Sequence, residues 1–328
     1  MLRDKFGREI HDLRISVTDR CNFSCVYCKS ADPKNYFPHR DLLTWEEFLR
    51  LSRVLVGMGI RKIRVTGGEP LLRTGVVEFI RKLRWVDGLA DLAITTNGYL
   101  LPELAQELAA AGAPRVTVSL DSMHPEKFAK ITRTPRSYEK VMAGINAALA
   151  AGLAPVKVNI VLVRGFNDDE IVDFARLARR RDIVVRFIEF MPLDADHSWR
   201  RDLVVTAKEI VDAIQPVFPL VVIPRHSPSE TALRYRFADG QGELGIIAPV
   251  SIPFCRQCSR IRLTADGKLR TCLFSLGEYD VRYLVRNGST DSDIARFVEK
   301  AVREKEPGHH INEPDFVQPS RTMVYIGG

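Results

Sequence analysis

Three cysteines stand at Cys21, Cys25 and Cys28, three more at Cys255, Cys258 and Cys272, and the chain has no others. Three thiolates do not fill a structural zinc site, which takes four ligands. They can hold three irons of a 4Fe–4S cube and leave the fourth iron open to a substrate or cofactor. The Cys-x-x-x-Cys-x-x-Cys spacing of the first set lets one short loop wrap such a cube, with Tyr27 just before the last cysteine. Zinc with a distant fourth ligand is the alternative. The second set is Cys255-x-x-Cys258, then thirteen residues, then Cys272. It admits the same two readings, the zinc ribbon being completed by a residue such as His226. Between these cysteines runs Ser259-Arg260-Ile261-Arg262-Leu263-Thr264. On a strand, Arg260 and Arg262 share a face. Beside a metal centre that face is a clamp for an anion, preferably phosphate.

Cations recur where strands are expected: Arg14, Arg64, Lys157 and Arg186 each interrupt an apolar run. A cation in such a run is costly unless paired or liganded. An internal salt bridge to Glu69 or Glu189 accounts for one of them more easily than for four. Gly67-Gly68-Glu69-Pro70 adds a turn whose glycines let backbone approach a ligand, with a carboxylate beside it.

These residues need elements to place them. Short Val/Ile-rich runs at Leu13–Thr18, Ile63–Thr66, Leu92–Thr95, Arg115–Leu120, Val156–Val163 and Val184–Phe190 read as parallel strands, mostly apolar on both faces. Helical patterns lie between them. Thr44-x-x-Glu47 is a capping box ahead of Phe48, Leu51, Val54 and Leu55. Leu101, Leu104, Ala105 and Leu108 follow the helical period and stop at Gly112; Tyr138, Val141, Ile145 and Leu149 stop at Gly152. Asn167-x-x-Glu170 is expected to cap a helix with inner face Ile171, Phe174, Ala175 and Ala178. The basic run Arg179-Arg180-Arg181 complements that helix's C-terminal dipole. Six βα units give an incomplete (βα)6 TIM-like barrel, with its chemistry at the C-terminal ends of the strands. The pattern breaks after Pro192, and prolines at 216, 219, 224 and 228 punctuate the next stretch of chain. The expected division is a barrel domain at 1–219 and a C-terminal domain with the second cysteine set at 220–328.

The whole-chain properties exclude other classes. With 328 residues, 45% of them hydrophobic and 27% charged, the chain has ordinary globular composition. No apolar run reaches the ~18 residues of a membrane helix, and no apolar stretch succeeds the N-terminus as in a signal peptide. A cytoplasmic protein with reduced thiols is expected, so clustered cysteines read as metal ligands. The net charge of +7 and a pI near 9.1 suit an anionic ligand. A zinc-dependent nucleic-acid binder would need a basic stripe interleaved with stacking aromatics, and none is present.

The cysteine spacing, Tyr27 and Gly67-Gly68-Glu69-Pro70 resemble the signature of the radical S-adenosylmethionine superfamily. The resemblance narrows to the GTP 3′,8-cyclases of molybdenum cofactor biosynthesis through Asp12–Cys21, Lys62–Leu71, Thr95–Gly98, Ser119–Ser122, Lys157–Asn159, Gly165–Asp168, Arg186–Pro192, the second cysteine set with its arginines and the terminal Gly327-Gly328. It implies that Cys21, Cys25 and Cys28 hold a 4Fe–4S cluster that cleaves S-adenosylmethionine. Tyr27, Gly68, Ser119 and Met191 would contact that cofactor, and the Gly-Gly-Glu-Pro loop its methionine amine. Cys255, Cys258 and Cys272 would hold a second 4Fe–4S cluster whose open iron binds the purine. Arg14, Arg64, Thr95, Lys157, Arg260 and Arg262 would contact GTP, with Lys62 and Arg186 next in line. Gly327 and Gly328 would reach the active site. The implied reaction takes hydrogen from the ribose 3′ carbon, closes that carbon onto C8 of guanine, and is completed by an electron and a proton. The implied partners are an electron donor, a cyclic pyranopterin monophosphate synthase acting on the product, and a second copy of the chain in a homodimer, with no nucleic acid or membrane. One departure is small: the resemblance leads one to expect glycine where this chain has Arg133, which is expected on a loop surface. A two-cluster radical enzyme acting on a peptide is the competing reading, and it leaves the strand cations unexplained.

Overall fold

A computed structural model describes residues 1–30, 36–113, 115–180 and 182–327. Six strands occupy the first half: β1 (Asp12–Ser16), β2 (Lys62–Thr66), β3 (Asp91–Thr96), β4 (Val116–Ser119), β5 (Val156–Leu162) and β6 (Ile183–Glu189). Each lies parallel to the next. Helices α1 (Trp45–Gly57), α2 (Val76–Arg84), α3 (Leu101–Ala110), α4 (Pro125–Thr132), α5 (Tyr138–Ala150) and α6 (Ile171–Arg180) make the crossovers. Helix α7 (Ala207–Ile214) comes after β6.

The remaining strands are β7 (Leu220–Ile223), β8 (Ala232–Phe237), β9 (Glu243–Ile247), β10 (Arg260–Leu263), β11 (Lys268–Arg270) and β12 (Tyr279–Asp280). They extend both edges of the same sheet, in the order β12-β11-β10-β1-β2-β3-β4-β5-β6-β9-β8-β7. β10 pairs parallel to β1 and β9 parallel to β6, and the outer strands are antiparallel. The incomplete TIM-like barrel therefore gains three strands at each edge from the C-terminal half, one parallel and two antiparallel. Helices α8 (Val281–Arg286), α9 (Asp291–Arg303) and the short α10 (Met323–Ile326) complete the chain.

The strand faces differ from the expectation of mostly apolar residues on both. On β5, Val156, Val158, Ile160 and Leu162 are buried under helices, while Asn159 and Val161 face an interior cavity. The sequence conceals this alternation because its cavity side mixes apolar and polar residues. The Thr44–Glu47 capping box forms as expected, and Phe48, Leu51, Val54 and Leu55 are buried on that helix. The Asn167–Glu170 cap does not form. Asn167 instead accepts from Val163 N and donates to the carbonyls of Asp121 and Val161. The Glu170 carboxylate accepts from Ser122 Oγ and Met123 N, so the pair ties the β4 and β5 loops together. The predicted inner face of α6 is buried regardless. Arg179 pairs with Asp239 and lies over Phe218, whereas Arg181 is outside the described residues. Among the described residues no helix is long and apolar enough to cross a membrane.

Candidate active site

One cavity opens at the C-terminal ends of the barrel strands, and all six cysteines line it. Cys21, Cys25 and Cys28 sit on the loop directly after β1, as a barrel places its reactive groups. The loop is held from beside and below. Lys29 Nζ donates to the carbonyl of Cys21 at 3.2 Å, and Asn97 Nδ2 reaches Asn22 Oδ1 at 2.7 Å and Cys21 Sγ at 3.8 Å. Ser24 N and Val26 N bond the end of α4 through the carbonyls of Thr132 and Ile131, both at 3.0 Å. The cap of α4 is Arg133 itself, in the left-handed region at φ 51°, where glycine is the unstrained residue. Its guanidinium lies at the surface and donates to Lys29 O at 3.1 Å.

The Gly67-Gly68 turn packs directly on this loop. A Cβ on Gly68 would stand 2.4 Å from Arg20 O, and one on Gly67 would stand 2.8 Å from Thr18 O. Both positions also line the cavity, so the glycines serve close backbone approach on two sides. The Glu69 carboxylate is not free for a ligand. It is fully buried and accepts from Leu71 N, Thr96 Oγ1 and Asn97 N, and burial pushes its pKa up to about 7. Tyr27 hydrogen-bonds the buried Asp121, whose other oxygen accepts from Val161 N at 2.8 Å. Ser119 and Met191 line the same cavity.

The donor chemistry of both triads fits iron–sulfur clusters. Burial pushes the Cys21 thiol up to about 11, with Glu69 adding to it, pushes Cys28 up to about 12, and raises Cys25 well above its ordinary value, with neighbouring cysteines and Asp121 adding to these last two. Three thiolates gathered out of water call for a cationic centre. Among the described residues no group of three His, Cys, Asp or Glu closes around one metal ion. Thiolates that each hold a separate iron need not converge on a point. His226, the zinc ribbon's suggested ligand, is exposed between β7 and β8 and does not line the cavity. In the second triad, burial raises the Cys258 thiol, but Arg260 and Lys305 outweigh it and hold it at about 7.

Between the triads runs a belt of cations. β10, β1 and β2 place Arg262, Arg14 and Arg64 side by side in register. Like charges opposite one another on a sheet are destabilising. Arg64 donates to Thr95 and Thr117, both at 3.1 Å, and Arg186 to Thr117 at 3.2 Å. Burial, with repulsion from nearby arginines, lowers Arg14 to about 9 and Arg64 and Arg186 to about 10, and holds Arg262 well below its ordinary value. Guanidinium groups stay charged regardless. Glu69 and Glu189 neutralise none of them. The Glu189 carboxylate is spent on Ala207 N, Val250 N and Ser251. Arg260 lies over the Phe254 ring at 5.1 Å, beside Cys258. Lys157 lies one layer deeper, level with Thr117, and does not line the cavity. Burial and the charges of Arg186, Arg115 and Arg64 lower it to about 7. Lys62 is set apart, paired with Asp12 at 3.6 Å and Asp91 at 3.9 Å.

The chain end returns to this place. Gly327 is buried, and a Cβ there would stand 2.8 Å from the Thr66 side chain and 3.1 Å from Ser16 Cβ. Its carbonyl accepts from Arg262 Nη1. Gly328 lies outside the described residues. Asp121 and Asn97 lie in stretches that the sequence marks without giving them a role, while His309 and Lys305 carry no mark there. Asp121 and Asn97 stand in polar patches at strand ends, which is a signal. His309 lines the cavity against Phe274 with both ring nitrogens buried, and nothing local to its sequence marks it. Lys305 lies just past α9 and reads as a helix-end cation.

A family model described as the radical SAM superfamily matches residues 15–178, and one described as Molybdenum Cofactor Synthesis C matches residues 183–311. A GTP 3′,8-cyclase of Moorella thermoacetica is 45% identical over 327 residues, covering 100% of each chain. Another, of Heliobacterium modesticaldum, is 44% identical over 326 residues, covering 99% of each. Among solved structures, Streptococcus suis SuiB bound to S-adenosylmethionine superposes with a TM-score of 0.62 at 12% identity, over 97% of this chain and 78% of that one. That likeness is one of fold alone. With full-length relatives at this identity, the chain belongs to the GTP 3′,8-cyclase family of radical S-adenosylmethionine enzymes, whose cofactors are S-adenosylmethionine and 4Fe–4S clusters.

Proposed function

We propose that this chain converts GTP to (8S)-3′,8-cyclo-7,8-dihydroguanosine 5′-triphosphate, the first step of molybdenum cofactor biosynthesis. The supporting observation is a single cavity with a cysteine triad at each side and a belt of arginines between them that, among the described residues, forms no ion pair with a carboxylate. A triphosphate is the ligand that such a belt lacks. A peptide substrate would leave it uncompensated.

In this reading Cys21, Cys25 and Cys28 hold the first cluster, and Cys255, Cys258 and Cys272 the second. Bound there, the first cluster would supply one-electron reductive cleavage of S-adenosylmethionine, the source of radical chemistry at the ribose. The chain's own work is placement. Tyr27, Gly68, Ser119 and Met191 seat S-adenosylmethionine over the barrel mouth. Arg14, Arg64, Thr95, Arg260 and Arg262 receive the triphosphate and ribose, and Lys157 meets the phosphate that reaches deepest. Arg186 joins them from β6. Residues 220–328 supply the second triad and so the purine's anchor. Gly327, held by Arg262, brings the chain end to the site. The partners in this reading are a cytoplasmic electron donor and a cyclic pyranopterin monophosphate synthase that takes the product.

Anaerobic incubation of the reconstituted chain with GTP, S-adenosylmethionine and a reductant tests this. The expected product is a triphosphate with the mass of GTP but a different retention time, because hydrogen lost at C3′ is offset by the closing electron and proton. Cleavage of S-adenosylmethionine without that isomer would refute the reading.

A further inference from the structure

Lys305, just beyond α9, is 2% exposed. Its Nζ donates to the carbonyl of Arg260 at 3.1 Å and to that of Thr271. The ion pairs of the described residues include none to it. A buried ammonium with only carbonyl partners is costly, and an anion nearby must offset it. The two carbonyls locate that anion. Arg260 stands two residues after Cys258, and Thr271 directly precedes Cys272. One ammonium thus ties together the two segments that carry these cysteines.

Glu306 is its counterpart of opposite sign. Its carboxylate accepts from Thr271 Oγ1 at 2.9 Å and from Ser275 Oγ. Ser275 Oγ in turn accepts from Cys272 N at 3.0 Å. Arg8 completes the strap, donating to the carbonyls of Cys255 at 2.9 Å and Glu306 at 2.5 Å.

We infer that Lys305 is the fixed counter-charge of the second cluster, a positioning residue whose buried ammonium stabilises the cluster's more reduced, more anionic state. Net charge and hydrogen bonding around a cluster are what set its reduction potential. The inference rests on the assignment of Cys255, Cys258 and Cys272 to that cluster.

The test is a redox titration read by electron paramagnetic resonance, on full-length chain carrying Cys25→Ala so that only the second cluster reports. In Lys305→Met the ratio of reduced to oxidised cluster at a fixed potential should fall about tenfold, which is about 59 mV for a one-electron couple. Lys305→Arg should stay near the parent, and Glu306→Gln should move the potential upward. Lys305→Gln, which keeps a donor without the charge, serves if the Met variant fails to hold iron. A retained signal with unmoved potential in either neutral variant overturns the role, as does a shift of the same sign in Lys305→Met and Glu306→Gln. No cluster signal at all in the Cys25→Ala parent would overturn the cluster assignment and this role with it.

Discussion

Lys157 gives the cation belt a quantitative signature. Burial, with Arg186, Arg115 and Arg64 nearby, holds its ammonium at about 7 rather than the ordinary 10.5. A triphosphate beside it favours the charged form and returns the pKa toward its ordinary value. Above pH 7 the free enzyme then carries a neutral amine that must take up a proton when GTP binds. The sign is therefore fixed: affinity strengthens as pH falls toward 7 and levels off below. With full restoration, linkage predicts that affinity drops about fivefold from pH 7 to pH 8, and less than about twofold from pH 6 to pH 7. Proton uptake on binding should be about 0.5 at pH 7 and about 0.9 at pH 8. Calorimetry of GTP binding in buffers of different ionisation enthalpy reads both quantities. Lys157→Met should bind more weakly at pH 7 and lose the slope between pH 7 and 8. A flat profile in the parent, or the same proton uptake in Lys157→Met, would refute the placement of a phosphate at this lysine.

Other perturbations separate the parts of the site. Arg260→Ala and Arg262→Ala should each weaken GTP binding by roughly 1.5–3 kcal/mol with iron content retained, and guanosine binding should suffer less; equal losses for both ligands would argue against a phosphate role. Gly68→Ala forces a Cβ to within 2.4 Å of Arg20 O, so S-adenosylmethionine binding should be lost while the Cys255–Cys272 cluster remains, as spectroscopic titration would show. Cys25→Ala should leave about four irons per chain, the content of one cube, by metal analysis; zero iron, or zinc in the parent, would contradict two clusters. Deleting Gly327 and Gly328 should leave iron content and folding intact but strongly suppress cyclisation, and full activity would make the tail a bystander.

The parts of this molecule that were legible in the sequence are local. Cysteine spacing, the Gly-Gly turn and capping boxes act over a few residues, and the alternation of strands and helices over about thirty. The long-range pairings were not legible. Residues 12–15 lie beside 260–263 on the sheet, bringing Arg14 opposite Arg262, and nothing near either segment announces its partner. The sequence marked each arginine as costly in a strand, but only the register shows them as one belt. Asn167 and Glu170 show the converse: a good local capping pattern yielded to tertiary bonds with Asp121, Val161, Ser122 and Met123. Lys305 had no local signal, because its partners are carbonyls 34 and 45 residues away.

The central claim is that one cavity brings a radical made at the first triad to the ribose of a GTP held by the second. GTP deuterated at the 3′ position, incubated anaerobically with S-adenosylmethionine and reductant, tests it most directly. Deuterium should appear in the 5′-deoxyadenosine released, in step with formation of the cyclised triphosphate. Deoxyadenosine formed at a comparable rate but free of deuterium would contradict the account.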